Sequence, residues 1–402
     1  HHLPGKQLPI AFAVLDPKRN DCTYPFKELC GCGVGFKLIQ AYLSNQKLPK
    51  EIAYDYLDLV ATATGADIVP MIGENRILTF YGMKLLNERP RVGIRSLMLG
   101  HKHFGSMTIT DVVFTIAPRI NAAGRMKHAH FAVSLLIEEN ESHAQKSALE
   151  IEEFNTNRRA EDQRIAQEAM IQIQKLNQED DPATVVYHED WHKGVIGIVA
   201  SRLIETYYRP TVVFTKSNGL LVASVRSVKG FDVYAALSEC EMHIEEFGGH
   251  KYAAGLTLKQ ENYDTFKAAF NQVVLERISS DQKAEIFDID TELEFSQITQ
   301  SFYNIIRQFE PFGPENRAPL FCTRKVTDKG SRAVGQEKKH LKLQVYSEKE
   351  PELVMNGIGF NMGNHAERLS SGLGFDLCYA IQENHWKGHI SLQLGAKDIK
   401  IH

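Results

Sequence analysis

Two glycines, a histidine and a lysine stand together in the stretch FGGHKYAAG, and these residue types suit contact with a phosphate group. A Gly-Gly pair lets backbone N–H groups face a ligand without hindrance from Cβ atoms, and it permits positive φ angles. The adjacent His250 and Lys251 add donors for phosphate oxygens. Gly248, Gly249 and His250 are therefore candidate substrate-binding residues. The alternative is a tight turn into a helix, followed by small residues that pack on a sheet, because short glycine-rich motifs are weak evidence.

Arginine and hydroxyl side chains form two further candidate phosphate sites. In the stretch PRINAAGRM, Arg119, Asn121 and Arg125 stand among small residues. Small neighbours leave room for guanidinium forks to reach a phosphodiester, and the packing of a core would not select this composition. In the stretch ASVRS, two serines flank Arg226 at the end of a predicted strand. Ser224 and Arg226 are therefore a candidate phosphate clasp.

Asp67 is the carboxylate best placed to bind a metal ion. It lies between a segment of small residues and the apolar residues 68–71, at the end of a predicted element, where carboxylates commonly bind metals. A helix cap is its alternative role. The six cysteines are scattered, and only the close pair Cys30 and Cys32 could act together, at a spacing that suits neither a zinc knuckle nor a redox CxxC motif. Reduced thiols are the simplest interpretation.

The composition is that of a globular protein with two or three domains. Of its 402 residues, 43% are hydrophobic and 24% are charged. No apolar run approaches the roughly 18 residues that span a bilayer, and no signal peptide is visible at the start. A cytoplasmic protein without membrane contact is therefore expected. The formal charge of −4 argues against indiscriminate nucleic-acid binding, so a nucleic-acid site must be a local patch.

A local excess of positive charge lies between residues 324 and 342. The segment contains seven Lys and Arg residues and only two acidic residues, Asp328 and Glu337, so its local charge is +5. Such a segment is predicted to attract a nucleic-acid backbone. The candidate nucleic-acid-binding residues in it are Arg324, Lys325, Lys338, Lys339 and Lys342.

Apolar periodicity predicts the elements of the first half of the chain. Residues 8–15, LPIAFAVL, form an apolar run that predicts a buried strand. The glycines of CGCGVG precede a helical pattern but lack the full spacing of a dinucleotide-binding motif. Residues 131–181 contain no Gly or Pro and keep apolar residues three and four apart, so they predict a long helix or helix pair that connects two domains. Arg158 and Arg159 on it are expected to be solvated, with contact to substrate as the alternative.

Strands and helices alternate from residue 183 onwards, which predicts a three-layer α/β domain. His192 lies in the turn between its first strand and first helix. After residue 283 the pattern changes to short strands. Five strand-like runs between residues 320 and 401 predict a barrel that resembles an OB fold.

Five motifs, in order and over nearly the whole chain, are similar to those of the RecJ family in the DHH phosphoesterase superfamily. They are PRINAAGRM, DWHKGVIGIVASRL, ASVRS, FGGHKYAAGLTL and PFGPENRAPLF. The resemblance implies two α/β domains, a partial DHH domain and a DHHA1-type substrate domain, joined by a long helix and followed by an OB-like β-barrel. The implied boundaries are residues 1–130, 131–181, 182–282 and 283–402.

The resemblance also implies an activity. It is that of an exonuclease, dependent on Mn or Mg, that degrades single-stranded DNA from the 5′ end to mononucleotides in DNA repair and recombination. Helicases and single-strand-binding proteins are the implied candidate partners beside single-stranded DNA itself.

The same resemblance implies roles for individual residues. His1 and His2 correspond to the histidines of the DHH motif, and they form the catalytic set together with Asp67, while His1 and Asp67 are the metal ligands. The residues implied to bind substrate are Arg119, Asn121, Arg125, His192, Ser224, Arg226, Gly248, Gly249 and His250.

Two other functions stay open beside the nuclease. One is a catalytically inert relative that binds single strands as a scaffold, and the other is a small-substrate DHH phosphoesterase that acts on oligonucleotides. The basic barrel argues against the second, because such an enzyme needs no grip on a strand. The family's first two motifs, which supply several aspartates, lie upstream of the DHH motif, so the chain as given is expected to fold without cleaving DNA. The alternative origin of His1 and His2 is a tag.

Overall fold

The structure is a computed structural model that describes residues 1–2, 4, 8–99, 106–386 and 388–402. Its first half is helical, and a π-helical turn at Val112–Ile116 connects two of the helices. These helices are α1 (Gly31–Asn45), α2 (Glu51–Tyr54), α3 (Leu57–Asp67), α4 (Gly73–Glu88), α5 (Val92–Met98), α6 (Ile109–Asp111), α7 (Ala117–Met126), α8 (His130–Ile137) and α9 (Glu141–Lys175).

Strands appear after α9. The first group of elements is β1 (Thr184–Tyr187), α10 (Ile196–Thr206), β2 (Thr211–Ser217), β3 (Leu220–Arg226), α11 (Val233–Glu239), β4 (Glu246–His250), β5 (Ala253–Leu258) and α12 (Tyr263–Arg277). The second group is β6 (Thr291–Glu292), α13 (Gln300–Arg307), β7 (Phe321–Asp328), β8 (Arg332–Val334), β9 (His340–Ser347), β10 (Glu350–Gly359), α14 (Ala366–Leu369), β11 (Phe375–Trp386) and β12 (His389–Ile401).

The chain divides into two compact units. The first unit consists of His1–Arg91, Met98–Ala117 and Phe287–His402, and the second consists of Val92–Leu97 and Pro118–Ile286. The first unit therefore contains the N-terminal helices and the strands from β6 onwards. The second contains the long helix α9 and the strands β1 to β5.

A five-stranded sheet with the order β1-β2-β3-β5-β4 forms the centre of the second unit. Strands β1 and β2 are parallel, and the other neighbours are antiparallel. Successive side chains of a strand point to opposite faces, so Val212 joins the core beneath α11 and α12, whereas Val213 joins the core beneath α9 and α10. The predicted three-layer α/β domain is confirmed.

The hairpin between β2 and β3 fixes the register of the candidate phosphate clasp. Its two turn residues, Asn218 and Gly219, have φ angles of 51° and 81°. Asn-Gly tolerates positive φ at both positions, as a two-residue hairpin of type I′ requires. The turn pairs Thr211 with Arg226 and Val213 with Ser224.

The predicted OB-like barrel is also confirmed. Its strands pair in the order β7-β11-β12-β10-β9, and a further pairing between β7 and β9 closes the sheet on itself. Leu341, Leu343 and Val345 of β9 are buried in its core, whereas Lys342 and Gln344 between them are exposed. This alternation is the period of two that a strand with one buried face requires.

The strand predicted at residues 8–15 is wrong. This segment is irregular, and Ile10 and Phe12 are fully exposed, each with a relative accessibility of 108%. A strand needs a neighbour to satisfy its backbone N–H and C=O groups, and no strand precedes β1 in the part of the chain that the structure describes. The described residues of the first domain are accordingly helical, around a core that includes Phe36 and Leu57.

The segment predicted as a connecting helix holds the two helices α8 and α9. Asn140 caps the second of them, because its side chain accepts a hydrogen bond from the backbone N–H of His143 at 3.1 Å. Among the described helices, none combines the length and the apolar character that crossing a bilayer would take.

Candidate phosphate and metal sites

Ser224 and Arg226 lie side by side against the start of α10. They are two residues apart on β3, so both side chains point to the face of the sheet that α10 covers. A Cβ atom built on Gly197, the second residue of α10, would lie 3.1 Å from Nη2 of Arg226 and 3.2 Å from Oγ of Ser224. The first N–H groups of a helix have no partner within it, and the helix dipole makes this end positive. A hydroxyl, a guanidinium and a helix N-terminus therefore converge on a place suited to an anion.

Arg125 is attached to the turn that precedes α10. Its Nη1 donates a hydrogen bond of 3.1 Å to the carbonyl oxygen of Gly194, and the N–H of Gly194 donates to Nδ1 of His192 at 3.1 Å. A Cβ atom at Gly194 would lie 2.6 Å from the carbonyl oxygen of Arg125, so a larger residue cannot occupy this position without a shift of the backbone. The DWHKG motif thus holds His192 and Arg125 together.

The arginines of this region are partly removed from water. Burial lowers the pKa of Arg226, and the positive charge of Arg125 lowers it further. The protein atoms around Arg125 likewise lower its pKa by desolvation, although part of its side chain is solvent-exposed. Both changes mean that the charged forms are less favourable than in water, so a bound anion would stabilise them.

The glycine-rich motif forms the edge strand of the same sheet. Cross-strand pairing puts Gly248 opposite Gly255 and Gly255 opposite Ser224, while His250 faces Ala253 and Ala253 faces Arg226. Directly paired residues share a face of the sheet. At about 4.8 Å per strand, His250 lies roughly 10 Å from Arg226 across that face. Ala253 stands between these two residues, and the neighbouring row of the same face, Ser224, Gly255 and Gly248, contains an open glycine floor, because a Cβ atom on Gly248 would meet nothing within 4 Å.

Glycine is required at position 249 for a different reason, which is the backbone conformation. The φ of Gly249 is +148°, and a Cβ atom there would lie 2.4 Å from the carbonyl oxygen of Ala253. The residue is therefore needed by the β4–β5 hairpin itself. The helix start expected in the alternative interpretation is absent from this described segment, since a turn at residues 251–252 leads directly into β5.

Arg119 and Asn121 lie on α7 in different surroundings. Asn121 is exposed, whereas Arg119 is buried and its Nε forms an ion pair with Glu152 of α9. This contact ties α7 to α9. The assignment of both residues to substrate binding stays a prediction.

His1 and Asp67 approach each other in the first unit. Asp67 is the last residue of α3, and its Oδ2 lies 3.2 Å from Nε2 of His1. The ring of His1 also lies against the ring of His2, with 4.0 Å between centroids, and against Gly31 at the start of α1.

An imidazole nitrogen and a carboxylate oxygen suit Mn or Mg in type. They fall short in number, because such an ion takes about six ligands, and no group of three or more His, Cys, Asp or Glu residues that could hold a metal occurs among the described residues. His1 and Asp67 thus fit as part of a metal site, and the remaining ligands would come from elsewhere.

The PFGPENRAPLF motif supports the segment that follows Asp67. The backbone N–H of Met71 donates to the carbonyl oxygen of Pro314 at 2.7 Å. Just before the motif, the carbonyl oxygens of Gln308 and Glu310 accept hydrogen bonds from Nη2 of Arg76 at 3.2 and 3.3 Å. This motif therefore has a structural role within the first unit.

The basic residues of the barrel differ in their surroundings. Arg324 is held by Asp376 and Glu292, at 2.7 and 2.8 Å, so its charge is largely compensated. Lys338 and Lys339 lie in the loop between β8 and β9, and Lys342 lies on β9. In OB folds this loop and this strand belong to the face that binds oligonucleotides. Lys325 lies on β7 with a positive φ of 52°.

Sequence reasoning missed two exposed aromatic side chains of the barrel. Phe360, which follows β10, and Trp386, at the end of β11, are each 67% exposed. Large aromatic rings in water are natural stacking partners for bases. For Trp386 the sequence did contain a signal of exposure, because three polar residues precede it in the stretch ENHW.

The expectation that Arg158 is solvated is wrong. Its side chain is only 12% exposed, and its Nη2 donates a hydrogen bond of 2.7 Å to Oδ1 of Asn155. The signal was the spacing of Asn155, Arg158 and Asp162, which continues the buried stripe of Ile151 and Ile165 at helical intervals of three and four.

Comparison with known proteins identifies two domains in the part of the chain that follows α9. The sequence matches the family models of the DHHA1 domain over residues 180–276 and of the RecJ OB domain over residues 289–398. The single-stranded-DNA-specific exonuclease RecJ of Haemophilus influenzae is 33% identical over 412 residues, which cover 98% of this chain and 71% of that protein. The chain belongs to the RecJ family. RecJ of Bacillus subtilis is 33% identical over 404 residues, and the chain spans half the length of that relative.

Solved RecJ structures agree with this fold. The crystal structure of RecJ from Thermus thermophilus with Mn²⁺ has a TM-score of 0.84 and 27% identity, covering 100% of this chain and 57% of that one. The structure of the same protein with Mg²⁺ has a TM-score of 0.79, 27% identity and coverages of 94% and 57%. The metals in these two RecJ structures are the two that the sequence resemblance implied.

Proposed function

We propose that the protein is a metal-dependent exonuclease that degrades single-stranded DNA from its 5′ end to mononucleotides, in the cytoplasm, during DNA repair and recombination. RecJ relatives carry the name of single-stranded-DNA-specific exonucleases. The observation that carries the proposal is the anion site formed by Ser224, Arg226 and the N-terminus of α10, beside the open glycine floor of β4.

This anion site suits the phosphate at the end of a strand. A terminal phosphate carries close to two negative charges and three oxygens that accept hydrogen bonds. Ser224 can donate one hydrogen bond, Arg226 can donate two from its fork, and the first N–H groups of α10 add further donors. His192 in the turn before α10 supplies a ring nitrogen, and Arg125 of α7, which donates a hydrogen bond to that turn, supplies positive charge. The bound phosphate would fix the position of the strand from its end.

The glycine floor gives the terminal nucleotide a place to lie. Side chains at Gly248 and Gly255 would project from the sheet face that carries Ser224, Arg226 and His250, and their absence leaves that face open beside Ser224. His250 at the edge strand is then available to the next phosphate along the strand. The spacing of roughly 10 Å between Arg226 and His250 leaves room for these two side chains to contact different phosphates of the strand.

His1 and Asp67 would contribute to the metal centre of the proposed reaction. A pair of divalent ions, when bound, lowers the pKa of a water molecule and stabilises the attacking and leaving oxygens. Asp67 is held in place by its position at the end of α3 and by the adjoining segment, which the carbonyl oxygen of Pro314 anchors. His1 is oriented by its contacts with Asp67 and Gly31.

The barrel would contribute affinity for the single strand. Lys338, Lys339 and Lys342 offer positive charge on the face that OB folds use. Phe360 and Trp386 offer rings on which bases can stack without regard to sequence. Such a combination favours single strands over duplexes, because only unpaired bases expose their faces.

The direct test is degradation of oligodeoxynucleotides labelled at either end by the native protein in the presence of Mn²⁺. A 5′ label should appear first as a mononucleotide, while a 3′ label should pass through progressively shorter strands. A duplex of the same sequence should be resistant. Binding without degradation would support the inert scaffold, and early release of the 3′ label would contradict the proposed direction.

A further inference from the structure

Three polar residues interrupt the buried face of α9. Asn155 is fully buried and Asp162 is 2% exposed, in line with the apolar residues Ile151 and Ile165. Arg158 lies between them. A buried carboxylate is costly unless it is paired, so its presence in this stripe calls for a function.

Asp162 is held mainly by one arginine. Its Oδ2 lies 2.7 Å from Nη2 of Arg202 on α10 and 3.9 Å from Nη1 of Arg158. Its Oδ1 is buried and has no hydrogen-bond partner among the described residues. Only one of the two carboxylate oxygens therefore accepts a hydrogen bond. Desolvation raises the pKa of Asp162.

The arginines around Asp162 extend to the anion site. The pKa of Arg158 is lowered by burial and by the positive charges of Arg159, Arg125 and Arg202. Arg125 acts in the same way on Arg226. The positive charges of this region therefore disfavour one another. Asp162 is the carboxylate that opposes this repulsion on Arg158.

We propose that Asp162 is a positioning residue for phosphate binding, because its buried carboxylate holds Arg202 of α10, the helix whose first turn contacts Ser224 and Arg226, and so fixes that helix end against α9. The inference rests on the proposed function of the anion site. Asn155 holds the neighbouring Arg158, because its Oδ1 accepts a hydrogen bond of 2.7 Å from Nη2 of that arginine. A neutral side chain at position 162 could not hold two arginines against their mutual repulsion. Arg202 would then lose its partner on α9, and the start of α10 would be less firmly placed.

The test compares the Kd values of 5′-phosphorylated and 5′-hydroxyl oligothymidylates, measured by fluorescence anisotropy with the 402-residue protein. Asp162→Asn keeps the shape of the side chain and removes its charge. We expect it to weaken binding of the phosphorylated strand about tenfold, the effect of losing one charge-assisted contact. Binding of the hydroxyl strand should change less than about twofold, since that strand has no terminal phosphate.

Glu161→Gln is the matched control, because it removes the same charge from the neighbouring residue of α9. Glu161 pairs with Arg164 on the solvated face, at 2.8 Å, so neither Kd should change. Equal weakening of both strands by Asp162→Asn would overturn the proposal, since a purely structural defect acts on both. Unchanged or tighter binding of the phosphorylated strand would also overturn it.

Two further variants keep the test decisive. If Asp162→Asn does not fold, Arg202→Gln removes the shortest contact of the carboxylate from a side chain that is 41% exposed, and it should weaken the phosphorylated strand selectively. No selective effect there would overturn the proposal. Arg226→Ala tests the site itself: if it abolishes the preference for the phosphorylated strand while Asp162→Asn does not, only the role of Asp162 is wrong. If Arg226→Ala leaves the preference intact, the proposed phosphate site is wrong.

Discussion

Replacement of Gly197 by alanine should separate the stability of the protein from its affinity for a phosphorylated end. Gly197 is buried in the first turn of α10, where alanine is a better helix former by about 1 kcal/mol. The added Cβ would lie against the side chains of Arg226 and Ser224 rather than against backbone. We therefore expect unchanged or higher thermal stability together with weaker binding.

The size of the effect follows from the geometry. The Cβ would stand 3.1 Å from Nη2 of Arg226 and 3.2 Å from Oγ of Ser224, whereas non-bonded heavy atoms prefer about 3.5 Å or more. Both groups must move by roughly 0.4 Å, which is enough to take a charge-assisted hydrogen bond of about 2.8 Å to the end of its favourable range. Weakening such a bond by about 1.4 kcal/mol raises Kd about tenfold.

The assay is a titration of a 5′-phosphorylated oligothymidylate, followed by fluorescence anisotropy, beside a thermal melt of the same sample. Gly35→Ala is the matched control, since Gly35 lies within α1 and a Cβ there would meet nothing within 4 Å. That variant should gain stability and keep its Kd. A Gly197→Ala protein that binds the phosphorylated strand as tightly as the parent would refute the assignment of this end of α10 to phosphate binding.

Four other predictions concern both units. Arg226→Ala should reduce cleavage at least about tenfold in the native protein while its melting temperature stays nearly constant, because the contact acts on substrate phosphate; a large drop in melting temperature would favour a structural role. Gly249→Ala should lower the melting temperature, since its Cβ would collide with the carbonyl oxygen of Ala253. Calorimetric titration of the 402-residue chain with Mn²⁺ should show weak binding, because two donors are too few for a hard cation, and a tight site would contradict this. The salt dependence of single-strand binding, measured as the slope of log Kd against log salt, should flatten by about 2 when three barrel lysines become glutamine. These are Lys338, Lys339 and Lys342.

Local sequence patterns were sufficient for the domains from residue 183 onwards. The Asn218-Gly219 turn and the alternation of buried and exposed residues in β9 are short-range signals, and each specifies a hairpin or a strand face by itself. The three-layer domain and the closed barrel could therefore be predicted. Pairing across strands then brings Ser224 into register with Gly248, a relation that sequence spacing alone does not give.

The errors arise where a residue depends on distant partners. The apolar run at residues 8–15 predicted a strand, but a strand also requires a neighbour with which to pair. Arg158 was expected in solvent because charged residues usually are, whereas its burial depends on Asn155 and on Asp162 of the same stripe. The two reasons for glycine at Gly248 and Gly249, an open face and a positive φ, likewise become visible only in the folded hairpin.

The discontinuity of the first unit has a consequence for synthesis on the ribosome. Arg76 donates a hydrogen bond to the carbonyl oxygen of Glu310, which lies 234 residues later in the chain. At about 5–20 residues per second, that partner is made roughly 10 to 50 s after Arg76. Pro118–Ile286, nearly the whole second unit, is by contrast one continuous segment. Its sheet can therefore form on the ribosome while α4 and the segment that joins it to α3 still lack their contacts with residues 308–314, so the apolar and polar groups of this region that await later residues stay exposed for that interval.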